Sequence, residues 1–446
     1  MWHSAWRWLY PGLRIKRWVL LFSVGLLLLV LGLTTIINYQ VFGVLEEFLF
    51  RVLYEMTGRY NYTLLAGVGA VLIIVGALVM IFSFQRLMQR ILQSIAPEGS
   101  GKVSQMMLER ARRDRGPAIV SIGGGTGLSK LLRGLKTKTS HLTAIVTVAD
   151  DGGSSGRLRE EMDIIAPGDL RNCLVAMADK ESQMEYIFQH RFGGTGELAG
   201  HSLGNLFLAA LMEEYKDPVL ALEAASEILN VRGEVVPATT EPVRLRAEMT
   251  DGVCVIGESE IPEYGGRIQR LHILPDMPQA VTAALAAIEA ADVITLGPGS
   301  LYTSILPNLL VPEIATALRR SDATKIYICN AMTQPGETDG YTVADHLRAL
   351  IDHIGPGVAD YVLVNDYAPA GEVLERYAAM GSYPVVCDTE AVQALGAKVV
   401  RAKLIADGMT VSHAPDLVAD AIVNMVHAVQ SDLHPQLLDY YFDRSL

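Results

Sequence analysis

Two uncharged apolar runs, Val19 to Ile37 and Leu64 to Phe84, constrain this 446-residue chain more than any other feature. About 20 helical residues at ~1.5 Å each cover a ~30 Å hydrocarbon core. Lipid offers no partner for an open backbone group, so both runs predict membrane-spanning helices. Trp2, Trp6, Trp8 and Trp18 all precede the first run, where an interfacial aromatic belt would sit. A cleaved signal peptide is the rival reading of that run. Its length, the lack of a clean small-x-small cleavage site and the second run close behind argue against it. Arg7, Arg14, Lys16 and Arg17 flank the first run, and Arg86, Arg90 and further basic residues to Arg115 follow the second. The loop between them, Asn38 to Thr63, holds only Arg51 and Arg59. The positive-inside rule then predicts a two-span protein of the cell membrane with both termini and the main domain in the cytoplasm. Gly67, Gly69 and Gly76 in the second run would permit close helix approach, or are ordinary membrane-helix glycines.

The expected organisation is a membrane hairpin over residues 1–84, a basic linker over 85–116 and a cytoplasmic domain over 117–446. The linker contains a helix-breaking Pro97 to Lys102 stretch. Val103 to Arg115 reads either as a short basic amphipathic helix or as solvated linker. Hydrophobic residues make up 50% of the chain, which excludes a disordered protein. The formal net charge of −12 argues against nucleic-acid binding. Cys173, Cys254, Cys329 and Cys387 are scattered, fit neither a zinc site nor a disulfide framework, and read as buried thiols.

From Pro117 the pattern becomes α/β. Short apolar runs (AIVSIGGG, LTAIVTVADD, ADVITLGPG, KIYICNAM, VADYVLVND) alternate with helical stretches. Strand, glycine turn and helix in repetition predict a Rossmann-like, doubly wound, mostly parallel sheet. Val231 to Ile273 reads instead as a small antiparallel β insertion. In open α/β sheets ligands bind beyond the carboxyl ends of the strands, and six polar or glycine-rich stretches fall there.

Gly123-Gly124-Gly125-Thr126-Gly127 follows the first strand; its bare backbone and the helix start behind it suit a phosphate. The dinucleotide fingerprint would need glycine at Leu128, and no register gives a Walker pattern, so an NAD-linked enzyme is disfavoured. Asp150 and Asp151 end the next strand, with Arg157 further on. They are candidates for catalysis, for Mg²⁺ (Asp150) and for a phosphate clamp (Arg157). Asp169 reads as a cap of the following helix, with Arg171 and Asn172 in its first turn. His201, Ser202 and Asn205 come at i, i+1 and i+4, which places His201 and Asn205 on one helix face. His201 reads as an acid/base or as a packed histidine. Gly297, Gly299 and Ser300 repeat the strand–glycine–helix design. Asn330 and Thr333 follow another strand and suit a base or sugar. Each stretch also has a plain reading as a tight turn or cap. Together they suggest an extended ligand with a diphosphate at its middle.

In combination, SIGGGTGLSKLLRGLK, VTVADDGGSSGRLR, PGDLRNCLVA, GHSLGNL, LGPGSLYTSILPNLLVP and CNAMTQPGETDGYT resemble the CofD/YvcK-like family, in particular its YvcK-type gluconeogenesis factors. The resemblance covers roughly Ala118 to Ala428. It implies a Rossmann-like fold and a UDP-sugar ligand of the UDP-N-acetylglucosamine type. It also implies a role in cell shape and wall-precursor supply during gluconeogenic growth, cell-wall synthesis proteins as partners, and a homodimer. Family members commonly lack membrane spans, so the hairpin departs from that pattern. The more distant CofD branch implies 2-phospho-lactate transfer from a nucleotide diphosphate adduct, with Mg²⁺, Gly124 to Gly127 holding phosphates and Asp150 near the metal. Tyr377 is similar to a uridine-sugar contact of the YvcK branch, or is a packed helix tyrosine. Ser412 stands where the family has a basic residue.

Overall fold

A computed structural model describes residues 16–37, 62–95, 103–179 and 181–430, with a few isolated positions between 47 and 58. Trp2, Trp6, Trp8, Arg7, Arg14, the Pro97 to Lys102 break and most of the loop from 38 to 63 lie outside the described residues. The chain divides into two units, Met1–Arg110 and Ala111–Leu446.

The first unit is built on α1 (Lys16–Ile37) and α2 (Tyr62–Ile95). Among the described residues these are the two continuous helices long and apolar enough to cross a membrane, over Arg17–Ile36 and Ala66–Arg90. The second continues well past Phe84, so the first turns of the expected linker are helical. Side chains such as Leu20, Val71 and Leu78 point outward, as they would toward lipid. The two helices touch through glycine. A Cβ on Gly25 would lie 2.9 Å from the Gly76 carbonyl, and one on Gly32 would lie 2.6 Å from that of Gly69. Gly67 meets nothing within 4 Å and takes no part in the seam.

The division between the units falls within α3 (Val103–Arg113). There follow β1 (Ile119–Gly123), α4 (Gly125–Leu135), β2 (Leu142–Val146), α5 (Gly153–Met162), α6 (Pro167–Met177), α7 (Glu181–Phe188), α8 (Leu203–Tyr215), α9 (Pro218–Leu229) and β3 (Glu234–Pro237). The chain then makes β4 (Arg244–Met249), β5 (Cys254–Ile256), α10 (Glu260–Tyr264), β6 (Ile268–Leu274), α11 (Thr282–Ala290) and β7 (Val293–Leu296). A π turn at Leu301–Ile305 leads into α12 (Leu306–Leu309) and α13 (Pro312–Arg320). The last elements are β8 (Thr324–Ile328), α14 (Val343–Ile354), β9 (Tyr361–Asn365), α15 (Gly371–Ala378), α16 (Thr389–Ala394), β10 (Lys398–Ala402) and α17 (Pro415–Gln430).

Seven strands form one sheet in the order β10-β9-β8-β7-β1-β2-β3, every neighbouring pair parallel. β1 and β7 are buried at every residue, because helices cover both faces of a parallel sheet. The antiparallel insertion is smaller than its sequence suggested. β5, β4 and β6 form it, whereas Glu234–Pro237 joins the main sheet as an edge strand beside β2. A helical crossover through α9 brings β3 back parallel, which the strand-rich composition of that stretch concealed. Two cysteines also differ from expectation: Cys173 and Cys329 are buried, but Cys254 is exposed on β5 and Cys387 is half-buried.

The strand order reverses at β1. The chain winds outward to β2 and β3, then returns to place β7 on the other side of β1. The crevice beyond the carboxyl ends of β1 and β7 is therefore the topological switch point, where open α/β sheets bind ligands.

Candidate functional site

Two glycine turns meet at that crevice. Gly124 is extended and precedes α4, while Gly125 has φ +64°. A Cβ on Gly127 would lie 2.4 Å from the Pro298 carbonyl oxygen, so the first turn of α4 rests directly on the Gly297-Pro298-Gly299 turn after β7. One glycine is thus demanded by loop-on-loop packing as well as by any ligand. Gly123 and Gly297 sit beneath: the Gly123 carbonyl accepts from the Thr147 amide (3.0 Å) and from Asn308 Nδ2 (3.1 Å). Leu128, where a dinucleotide fingerprint would have glycine, is fully buried in the core.

Above these turns lies a cleft of about 600 Å³. Gly124, Gly125, Thr126 and Gly127 form one wall with Lys130, and Gly299, Ser300, Thr303 and Ser304 form another. Asn330, Thr333 and Gln334 come from the turn after β8, and Tyr377, Ser412 and His413 close the far side. A side chamber of about 270 Å³ beyond β9 and β10 shares Ala331 and Val411 with it. The volume of the cleft suits a nucleotide-sized ligand. A hollow of about 920 Å³ exists at the opposite, amino-terminal ends of β7 and β8, around Asp292 and Thr324. It contains none of the glycine turns and lies at the wrong end of the strands for this fold.

The polar groups of the cleft are oriented by one another. Asn330 Nδ2 donates to Gln334 Oε1 (2.8 Å), and Gln334 Nε2 donates to Ser300 Oγ (2.6 Å). The Ser300 hydroxyl therefore keeps its own hydrogen free to donate elsewhere. The Thr333 hydroxyl is engaged: it accepts from the Tyr383 amide (2.9 Å). Tyr377 Oη accepts from the Val411 amide (3.0 Å) and so ties α15 to the segment before α17. His413 hydrogen-bonds the Cys329 backbone, and burial, reinforced by Lys130, pushes its pKa down to about 4.

The remaining sequence-selected residues form a second, adjoining cluster. Asp169 lies inside the first turn of α6 and is not its cap; the cap position is Ala166, which makes no side-chain bond. Asp169 instead reaches the Gly125 amide. Full burial, then the neighbouring Asp150, raises its pKa to about 7. Asp150 Oδ1 accepts from the Gly152 amide (3.0 Å). Asp151 pins the antiparallel insertion, accepting from the Glu258 amide (2.8 Å), the Ser259 amide (3.0 Å) and the Ser259 hydroxyl (2.7 Å). Glu258 lines the cleft, and burial followed by Asp150 raises its pKa to about 8.

His201 is outside the helix, since α8 begins at Leu203 with Ser202 as its cap. The expected shared helix face does not exist, yet His201 and Asn205 still converge. His201 Nδ1 is 3.0 Å from Ser154 Oγ, and Asn205 Nδ2 donates to the same oxygen at 3.0 Å. Arg171 Nη1 donates to Ser202 Oγ (2.5 Å) and Asn205 Oδ1 (2.7 Å), and its Nη2 donates to Asn172 Oδ1 (2.8 Å). Burial lowers the pKa values of both His201 and Arg171. Arg157 stands apart on the surface, its Nη2 donating to the Ala199 carbonyl (2.7 Å). Among the described residues, no three of His, Cys, Asp and Glu converge closely enough to hold a metal ion.

Sequence reasoning thus located the glycine turns, Ser300, Asn330, Thr333 and Tyr377 in one cleft. It did not single out Lys130, Glu258, Gln334 or His413. Gln334 lay inside a motif already marked; Glu258 sits in the insertion, which carried no chemical signature.

Comparison with known proteins agrees with this architecture. Residues 119–405 match the family described as 2-phospho-L-lactate transferase CofD. The gluconeogenesis factor of Bacillus subtilis (strain 168) is 50% identical over 311 residues, 70% of this chain and 98% of that protein. A Nostoc sp. (strain PCC 7120) protein named "Putative gluconeogenesis factor" is 46% identical over 424 residues, 94% of this chain and 91% of that one. The second match is too long to fit within Ala111–Leu446, so it enters the N-terminal unit, and that addition is not peculiar to this chain. A crystal structure of a Bacillus halodurans protein superposes with a TM-score of 0.68 at 48% identity, covering 69% of this chain and 100% of that one. The chain belongs to the CofD/YvcK-like family, on its gluconeogenesis-factor side.

Proposed function

We propose that this protein is a membrane-tethered UDP-sugar-binding regulator, of the UDP-N-acetylglucosamine type, that acts on cell shape and wall-precursor supply. The observation that carries the reading is the meeting of two glycine turns at the switch point, under a polar cleft of about 600 Å³. Backbone amides at the start of α4 and the Ser300 hydroxyl offer donors to a diphosphate. Asn330 and Tyr377 lie where a base or sugar would extend from it. The two apolar helices anchor the chain, and the basic residues flanking them favour a cytoplasmic cleft. Wall-synthesis proteins are then the partners within reach of such an anchor, and a homodimer is the assembly proposed.

Among the described residues no three His, Cys, Asp or Glu side chains form a protein-only cage for Mg²⁺, so Asp150 would hold the ion only together with oxygens of the ligand's phosphates. The family description raises transfer of 2-phospho-lactate as the competing reading, and the raised pKa values of Asp169 and Glu258 beside Asp150 are what favours it. Calorimetric titration of the full chain in nanodiscs with UDP-N-acetylglucosamine and UDP-glucose tests the proposal. Absence of heat at ligand well above micromolar overturns it. Catalytic product from a nucleotide–phospholactate adduct and a deazaflavin alcohol, followed by mass spectrometry, would establish the transferase instead.

A further inference from the structure

We infer that Lys130 is the cation that grips the anionic part of the ligand in this cleft, and so decides its preference for phosphorylated compounds. The inference deepens the reading above and rests on it only for the identity of the ligand, not for its charge.

Two cationic side chains lie on α4, Lys130 and Arg133, and a third, Lys136, is its C-cap; their environments differ. Arg133 is paired with Glu181 and, at 2.8 Å, with Glu185. Lys136 donates to Glu181 (2.5 Å) and to the Ala176 carbonyl (2.6 Å). Lys130, on the turn nearest the glycine loop, has no ion pair and no hydrogen bond among the described residues, and it lines the cleft. It is also the only permanent cation among the residues lining it. An ammonium with no carboxylate partner in the protein is available to an entering anion, and the pair forms charge-assisted hydrogen bonds.

Its position relative to the other charges supports this. Burial, and after it the nearby Lys130, disfavours protonation of the His413 imidazole, so His413 adds no second charge. After burial, the carboxyl groups of Asp150, Asp151, Asp169 and Glu337 are what raise the pKa of Glu258. Carboxyl groups thus gather at the insertion and, through Asp169, at the Gly125 end of α4, while Lys130 supplies the positive charge of the cleft. An anion placed beside those carboxyl groups would meet repulsion, whereas beside Lys130 it meets an opposite charge; of the amides that begin α4, that of Gly125 is already taken by Asp169. Ser412 in this chain presents a hydroxyl and no charge, which leaves Lys130 to supply it.

The test compares Lys130→Met and Lys130→Arg with wild type, full chain in nanodiscs, by calorimetry with UDP-N-acetylglucosamine, inorganic pyrophosphate and uridine as probes. Lys130→Met should weaken binding of the two phosphorylated probes by roughly tenfold or more. It should also flatten the dependence of their affinity on salt, and leave uridine within about twofold. Lys130→Arg should restore most of the phosphate affinity. Equal affinity of wild type and Lys130→Met for pyrophosphate and the UDP-sugar overturns the inference, as does failure of wild type to bind either. Lys130-dependent binding of pyrophosphate with no binding of UDP-sugars would sustain the inference and sink the UDP-sugar reading.

Discussion

Replacing Asp169 by asparagine should stabilise the α/β unit, and by an amount that depends on pH in a defined way. The carboxyl is wholly buried on α6, faces Asp150 and has its pKa raised from 3.8 to about 7. Between those values the folded chain holds a proton that the unfolded chain has released. Stability contributed at this site therefore falls as pH rises from about 4 to about 7, and is constant above. Three pH units at ~1.36 kcal/mol each amount to about 4 kcal/mol. Asparagine keeps an oxygen for the Gly125 amide and carries no charge, so it removes most of that penalty. Unfolding entropy of ~2.1 cal/mol/K per residue gives roughly 0.7 kcal/mol/K for a unit of this size, so the gain is ~6 °C in Tm at pH 8. Differential scanning calorimetry of both proteins in detergent, from pH 4 to pH 9, follows the transition of the α/β unit. The gap should be near zero at pH 4, widen to pH 7 and stay level beyond. Glu258 and Glu337 titrate in the same range, but they are common to both proteins and cancel in the difference, apart from their coupling through Asp150. A gap that is the same at pH 4 and pH 8 would refute the assignment of a protonated Asp169 beneath the glycine turn.

Two further substitutions follow from the backbone contacts. Gly127→Val places its Cβ 2.4 Å from the Pro298 carbonyl and must part the two glycine turns; nucleotide binding should be lost while far-UV circular dichroism is retained, and undiminished affinity would show that the turns do not form the site. In the hairpin, Gly76→Ile would press 2.7 Å against the Gly25 carbonyl, whereas Gly67→Ile meets nothing within 4 Å. The first should lower the SDS concentration at which the helix pair comes apart and the second should not, and equal effects of the two would dismiss the glycine seam.

How far the sequence reaches differs from element to element. The apolar runs and the strand–glycine–helix repeats were legible because they rest on local physics. Twenty uncharged residues have no soluble alternative as a helix, and a buried parallel strand reads as a short apolar run ended by glycine. The same logic located Gly124 to Gly127, Gly299 and Asn330 at strand ends, and the resemblance to the family added the fold. Local reasoning went astray where a residue's partner is distant in the chain. Asp169 reads as a cap in the sequence, but it lies inside the first turn of α6 and spends its carboxyl group on Gly125, 44 residues earlier. His201 and Asn205 meet across Ser154 and not along a helix. Glu234–Pro237 reads like the insertion beside it and joins the main sheet.

What the sequence alone determined was the list of elements, the apolar length of the two N-terminal helices and the kind of chemistry that strand ends offer. Only the tertiary structure decided that β7 returns beside β1, which brings two turns 170 residues apart into one cleft. Only it decided that Lys130 has no ion-pair partner among the described residues while Arg133 on the same helix and Lys136 at its C-cap are neutralised by α7. Pairing of charges and closure of a cleft depend on which surfaces meet after the chain has crossed the sheet, and no local pattern encodes that meeting.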